Sequence, residues 1–168
     1  MPTPTHPANH SNELKLTQLL TQKTVNTGVS VSNWEEAADA VGALLVDAGQ
    51  VDPEYIPAMK RVLKEMGPYA VIAPGIVLLH SRPEDGVREP CLGLITLSTP
   101  VEFGHSQNDP VDLVFALGAT DKKGHINALQ QLARLLGDSE ALAQLRSAQD
   151  RETLLKVITT WVENQPAQ

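Results

Sequence analysis

Two histidines in this chain of 168 residues stand where an imidazole can react. His80 closes the apolar run Ile76-Val77-Leu78-Leu79, and the polar, proline-bearing stretch Ser81-Arg82-Pro83-Glu84 follows at once. That layout offers a ring nitrogen at the edge of a rigid sheet. His125 opens an amphipathic helical pattern 45 positions later. Near neutral pH a useful fraction of imidazole is uncharged, so it can attack without a strong base. A phosphoramidate formed on such a ring is labile, which suits a relay that must pass its group onward. The second ring nitrogen then needs an acceptor, expected to be a backbone carbonyl, to fix the tautomer.

The surroundings of the pair fit an anion. His125 follows Asp121-Lys122-Lys123-Gly124 at the start of a helix, where free N–H groups and the positive end of the dipole favour negative charge. Arg82, two residues past His80, can add charge-assisted hydrogen bonds if it turns inward. Competing readings are blander. A histidine ending a strand is commonly structural. Ser81 beside His80 does not make a hydrolase dyad, because neighbouring strand residues point to opposite sides. A zinc site from His80, His105 and His125 lacks clustered ligand spacing. His105 reads as a surface loop residue, Cys91 as a small core residue, and Glu84-Asp85-Gly86 as a solvated turn.

Helices and strands must hold these rings. A first helix is expected to begin near Ser32 or Asn33; Ser32 and Glu35 have capping-box spacing, Trp34, Ala37, Ala38, Val41, Leu44, Leu45 and Ala48 recur at helical spacing, and Gly49 can end that helix. A second helix is expected with Asp52 as cap and Pro53 as its first residue, with Tyr55, Met59, Val62, Leu63 and Met66 as its apolar face. Pro57 should distort its first turns. Short apolar runs at Val71 to Ala73, Ile76 to Leu79, Leu92 to Leu97 and Val111 to Ala119 read as strands, with Val25 to Val31 as one more. Three helical patterns close the chain. One spans Ile126 to Leu136, the next starts at Asp138-Ser139, and the last is capped by Asp150. The strands are apolar enough to be covered on both faces. The expectation is a single α/β domain, a mixed sheet sandwiched between helices over residues 13–165, behind a flexible tail of residues 1–12.

Bulk properties exclude several classes. The apolar fraction is 42% and the charged fraction 20%, as in ordinary globular chains. Thirteen basic against twenty acidic residues give a formal charge of −7, which disfavours nucleic acid as a partner. One cysteine allows no intrachain disulfide. No apolar run approaches the roughly 20 residues that span a bilayer, and the N-terminus lacks the pattern of a secretory signal. A cytoplasmic location without membrane insertion is the expectation, and the chemistry calls for no metal or organic cofactor.

The matching stretches extend well beyond the histidines. Gly67-Pro68-Tyr69, Val71-Ile72-Ala73-Pro74-Gly75-Ile76, His80-Ser81-Arg82-Pro83-Glu84-Asp85-Gly86-Val87, Pro100-Val101-Glu102-Phe103, Asn108-Asp109-Pro110-Val111-Asp112-Leu113-Val114 and His125-Ile126-Asn127-Ala128-Leu129-Gln130-Gln131-Leu132-Ala133 occur in that order. With them the chain resembles the enzyme IIA components of the bacterial sugar phosphotransferase system, mannitol–fructose superfamily. The ascorbate-type subgroup is the best match, since the Arg-Glu pair common in mannitol-type members is not evident within Met59 to Glu65. The resemblance implies that His80 is the phosphorylated residue and His125 the second active-site histidine. It also implies phospho-HPr as donor, with a cysteine of enzyme IIB, and through it a membrane permease, downstream. Cys91 does not match that acceptor cysteine. Relatives usually carry proline immediately before the active histidine and small residues two and three places before it. Leu79, Leu78 and Val77 stand there instead, so a slightly rebuilt strand is expected.

Two functions share this site. The leading one is a phosphotransferase that relays a phosphoryl group for sugar uptake, with catalysis mostly by alignment and charge stabilisation. The alternative is a regulatory binding module switched by phosphohistidine and not directly coupled to transport. The transported sugar is not legible, since specificity in such systems resides mainly in the membrane component.

Overall fold

A computed structural model describes residues 15–121 and 126–166. Five strands, β1 (Val25–Val29), β2 (Val71–Ala73), β3 (Ile76–His80), β4 (Cys91–Val101) and β5 (Val111–Gly118), form one mixed sheet in the order β1-β4-β5-β3-β2. The β1–β4 and β3–β5 pairs are parallel; β4–β5 and β2–β3 are antiparallel. Among the described residues six α-helices accompany the sheet: α1 (Leu16–Leu19), α2 (Trp34–Asp47), α3 (Tyr55–Met66), α4 (Ile126–Leu136), α5 (Ser139–Ser147) and α6 (Arg151–Glu163). The expected mixed sheet between helices is therefore the observed architecture. The tail of residues 1–12 lies outside the described residues.

Alternation along the strands divides the core in two. Ile76, Leu94, Leu113 and Phe115 face α1, α4, α5 and α6, meeting Leu132, Leu145, Leu154 and Ile158. Val77, Leu79, Ile95, Val114 and Ala116 face the other way, onto Val41, Leu45, Tyr55 and Met59 of α2 and α3. Both faces of β3, β4 and β5 are thus dry, which explains why those strands read as continuous apolar runs. Each fully buried leucine or isoleucine contributes about 1.5–3 kcal/mol relative to exposure.

Local chemistry sets the helix ends, with some departures from expectation. Asn33 caps α2 by accepting from Glu36 N at 2.9 Å, and the Glu36 carboxylate accepts from Ser32 N at 2.8 Å. Of the two expected starting positions the cap is Asn33, and Ser32 takes part through its backbone N–H instead of its side chain. Gly49, at φ +75°, ends α2 as expected. Asp52 does not cap α3. The helix starts at Tyr55, and the Asp52 carboxylate instead accepts from Arg88 Nε at 2.5 Å. Pro57 falls in the first turn, where the missing N–H has no intrahelical partner to lose, so α3 needs no kink. Asp138 and Asp150 cap α5 and α6, each accepting from a backbone N–H three residues on. Those bonds, from Ala141 N and Thr153 N first, hold both carboxyls below the usual range.

Strand β3 is regular. It keeps register with β5 through five consecutive pairs, from Ile76–Leu113 to His80–Leu117. Leu79 keeps the N–H that a proline would lack and buries its side chain against α2 and α3. Ahead of it, Ala73-Pro74-Gly75-Ile76 turns β2 into β3 with Gly75 at φ +76°. That positive φ favours glycine, and an added Cβ would also press on the Arg146 guanidinium and the Asp112 carboxylate.

Candidate active site at the end of strand β3

His80 is the last paired residue of β3. Ile76, Leu78 and His80 share one face of the strand, but the first two lie against the helical layer and His80 is exposed beyond it. Its Nδ1 lies 3.2 Å from Leu78 O. A carbonyl only accepts, so this contact places the proton on Nδ1 and leaves Nε2 with its lone pair. Nε2 has no hydrogen-bond partner among the described residues. The backbone acceptor expected for the second nitrogen is therefore Leu78 O, two residues back on the same strand.

The chain after His80 is held from two directions. Ser81 N donates to the Tyr55 hydroxyl at 2.9 Å, and Ser81 Oγ donates to Asp85 Oδ2 at 2.5 Å. That hydroxyl bond, reinforced by Arg82 N and the Arg82 charge, lowers the Asp85 carboxyl from its ordinary value. Asp85 is thus the organiser of the 3-10 turn Pro83–Asp85, not part of a merely solvated turn. Arg82 extends outward, with 76% of its side chain exposed and Nε 3.7 Å from Asp85 Oδ2. Beyond the turn, Asp52 N donates to Gly86 O and Arg88 N to Gln50 O, fastening the loop to the α2–α3 connection.

Strand β5 delivers the next segment to the same end of the sheet. Leu117 pairs with His80, and β5 ends one residue later at Gly118. Gly118 pairs with Cys91, where an added Cβ would sit 2.6 Å from Cys91 Sγ. Cys91 is buried, as expected, and burial pushes its thiol up to about 12. His125, with Lys122, Lys123 and Gly124, lies outside the described residues; α4 begins at Ile126 directly after it. Ile126 is itself exposed.

Apolar surface flanks the ring. Val62, Met66, Tyr69, Ile72 and Leu78 line a shallow groove of about 150 Å³ that His80 borders. Met66 is 62% exposed and Tyr69 81%, high values for side chains of this kind.

His105 is elsewhere. It sits in the loop before β5, at the opposite end of that strand from Leu117. Its Nδ1 accepts from Asn108 N at 2.9 Å and from Gln107 N at 3.2 Å. It is half-buried and shapes the loop, so the reading of a plain surface residue is corrected. The residue that sequence reading passed over is Tyr55, seen only as part of an apolar helix face. A tyrosine on a buried face must find a partner for its hydroxyl, and that requirement was the available signal.

Known proteins resemble this chain in sequence and in fold. The family model of the phosphoenolpyruvate-dependent sugar phosphotransferase system, EIIA 2, matches residues 18–161. The chain is 36% identical over 141 residues to the ascorbate-specific PTS system EIIA component of Escherichia coli K12, covering 83% of this chain and 92% of that protein. Its fold matches the solution structure of the mannitol-specific cryptic phosphotransferase enzyme IIA of E. coli, with TM-score 0.78 and 31% identity over 88% of this chain and 99% of that one. It also matches the E. coli mannitol enzyme IIA in its complex with phosphorylated enzyme IIB. That likeness of fold has TM-score 0.73 and 24% identity, over 84% of this chain and 97% of that one.

Proposed function

The chain belongs to the EIIA 2 family of the phosphoenolpyruvate-dependent sugar phosphotransferase system, and from that premise we propose that His80 is its phosphoryl acceptor. The donor in this reading is phospho-HPr and the recipient a cysteine of enzyme IIB, serving an ascorbate-type uptake system. The observation that carries it is the Nδ1 contact to Leu78 O, which leaves a nucleophilic Nε2 at the exposed end of β3.

In the first transfer the Nε2 lone pair forms a bond to phosphorus. The bond from phosphorus to the donor breaks, and its electron pair leaves with the donor. The ring then carries positive charge while Nδ1 keeps its proton, and the Leu78 carbonyl stabilises that charge. In the second transfer a cysteine thiolate of enzyme IIB attacks phosphorus, and the P–N electrons return to Nε2. Catalysis is alignment and charge stabilisation; no proton needs to move at His80.

Two further side chains support the group. Arg82 exchanges its long contact with Asp85 for phosphoryl oxygens; its largely exposed side chain leaves it room to do so. His125 stabilises the phosphoryl group, a role supported by the resemblance and by the exit of β5 beside His80. The groove of Val62, Met66, Tyr69, Ile72 and Leu78 suits the apolar part of a protein docking face, and the acidic net charge suits a basic rim around it.

The test is incubation with phosphoenolpyruvate, enzyme I and HPr, followed by mapping of the labelled residue. Label is expected on His80 and none on His80→Ala. Label acquired by His80→Ala at the parental rate overturns the proposal. His125→Ala is expected to keep the fold and slow transfer about 100- to 1,000-fold, as loss of a charge-stabilising group does. Failure of the labelled protein to pass its group to any enzyme IIB would favour the regulatory alternative.

A further inference from the structure

Tyr55 is fully buried, yet its hydroxyl sits at the site. It donates to Leu117 O at 2.6 Å and accepts from Ser81 N at 2.9 Å. Ser81 O, at 3.3 Å, is a poorer second acceptor for the same proton. Leu117 is the β5 partner of His80, and Ser81 is the residue after it. One oxygen from α3 therefore ties both strands of the parallel pair just past His80, the last paired residue of β3.

We propose that Tyr55 is a positioning residue for the reactive ring: its hydroxyl bridges Ser81 N and Leu117 O and thereby fixes the backbone on which the His80 Nδ1–Leu78 O bond depends. The inference rests on the reading of His80 as the acceptor. The geometry explains why the bridge matters. The imidazole turns back to a carbonyl two residues earlier on its own strand, so the ring's place is set by the torsions of His80. Those torsions are bounded on one side by the β3–β5 pairing and on the other by wherever Ser81 is held. Without the hydroxyl, Ser81 N and Leu117 O lose a shared partner at the point where the strands part. The ring then samples orientations in which Nδ1 leaves Leu78 O and the two nitrogens share the proton. Burial pushes the phenol up to about 12, so it remains a donor throughout the neutral range. Tyr55 touches no substrate in this scheme and acts only through His80.

The test uses the full chain and the variant Tyr55→Phe, which keeps the ring in the core and deletes only the oxygen. Nitrogen-15 NMR of the His80 imidazole is expected to report the Nδ1–H tautomer in the parent and a mixture of tautomers in the variant. Label acceptance from phospho-HPr is expected to slow about tenfold at saturating donor with the half-saturating concentration unchanged, as misalignment of a reacting atom predicts. Trp161→Phe, which deletes the hydrogen bond to Asp138 on the far helical layer, serves as the stability control and is expected to retain the parental tautomer and rate. If Tyr55→Phe does not fold, Ser81→Pro is compared with Ser81→Ala, which shares the loss of the Asp85 bond but keeps the N–H, and Ser81→Pro alone is expected to give the same two changes. A parental tautomer and rate in the bridge-deleted protein, with His80→Ala inactive, overturns the positioning role and leaves the carrier reading intact. Parental labelling of His80→Ala overturns the carrier reading itself, and this inference with it.

Discussion

At one end of the β3–β5 pair, His80 gives its Nδ1–H to Leu78 O and leaves Nε2 without a partner among the described residues. At the other end, His105 turns Nδ1 inward as an acceptor for Gln107 N and Asn108 N. Around His105 the backbone is consumed locally. The Asp109 carboxylate accepts from Phe103 N, Gly104 N and His105 N, and Gly75 N donates to Asn108 O. Around His80 the strand end is fixed from a distance, by a tyrosine of α3 and the turn aspartate Asp85, and the ring itself faces outward. The same side chain thus serves two purposes. A histidine whose nitrogen accepts from loop amides is a structural element, whereas one whose Nδ1–H is tied to a carbonyl keeps the Nε2 lone pair that the proposed carrier role needs.

Replacing both histidines tests that contrast most severely. His80→Gln is expected to lower label acceptance from phospho-HPr by about a thousandfold or more, since the nucleophile is gone, while keeping the parental melting temperature within a few degrees. His105→Gln should do the reverse, with label acceptance within about twofold of the parent and a lower melting temperature. Equal losses of transfer in the two variants would break the distinction between the ends.

Asp109→Ala sharpens the structural side. Three backbone donors lose one charged acceptor, so urea unfolding should show a loss of about 1–3 kcal/mol with transfer unchanged. Gly118→Ala probes the active end by sterics alone. The new methyl meets Cys91 Sγ, and a destabilisation of about 1–3 kcal/mol is expected from the overpacking. Gly118→Ala with Cys91→Ala should recover part of it, which a double-mutant cycle would measure.

Proton linkage gives the smallest and most graded effects. Tyr55 and Cys91 are both raised to about 12 by burial, above unfolded values of about 10 and 8.5. Their folded forms hold protons more tightly than the unfolded chain does. Stability from these groups is therefore complete below the unfolded values and is lost as pH rises from about 9 through 12. Urea unfolding followed across that window should show the decline, and Tyr55→Phe should flatten its upper part. Asp85 runs the other way. Its carboxyl is lowered by the Ser81 hydroxyl, so its contribution is present above the ordinary carboxylate range and lost as pH falls through the depressed value. Asp85→Asn should make the acid limb shallower.

Much of the fold was legible because its signals are local. Helical spacing located α2 to α6, and Asp138 and Asp150 marked the caps of α5 and α6 correctly. Apolar runs located all five strands, although β4 extends from Cys91 to Val101, past the run to Leu97. The extension carries Ser98, Thr99 and Pro100 on exposed positions, where an apolar criterion is blind. Helix α1 went unread. Its single turn, with Leu16 and Leu19 buried, is too short for a periodic pattern and is held by Gln131 Oε1 accepting from Leu16 N. Asp52 looked like a cap because its spacing allowed one, and the distant Arg88 took the carboxylate instead.

Sequence by itself determined that an imidazole would end an apolar strand, that a polar turn would follow, and that its second nitrogen would need a carbonyl. These follow from residue types and spacings of a few positions, where backbone geometry leaves few choices. Tertiary structure alone decided that His105 would lie at the far end of β5. It also decided that β3 would pair with β5, and that a hydroxyl 26 residues from Ser81 and 62 from Leu117 would bridge them. Such contacts depend on which strands pair and which helix covers them. That is settled by burying both faces of the sheet at once and is written in no short stretch of the chain.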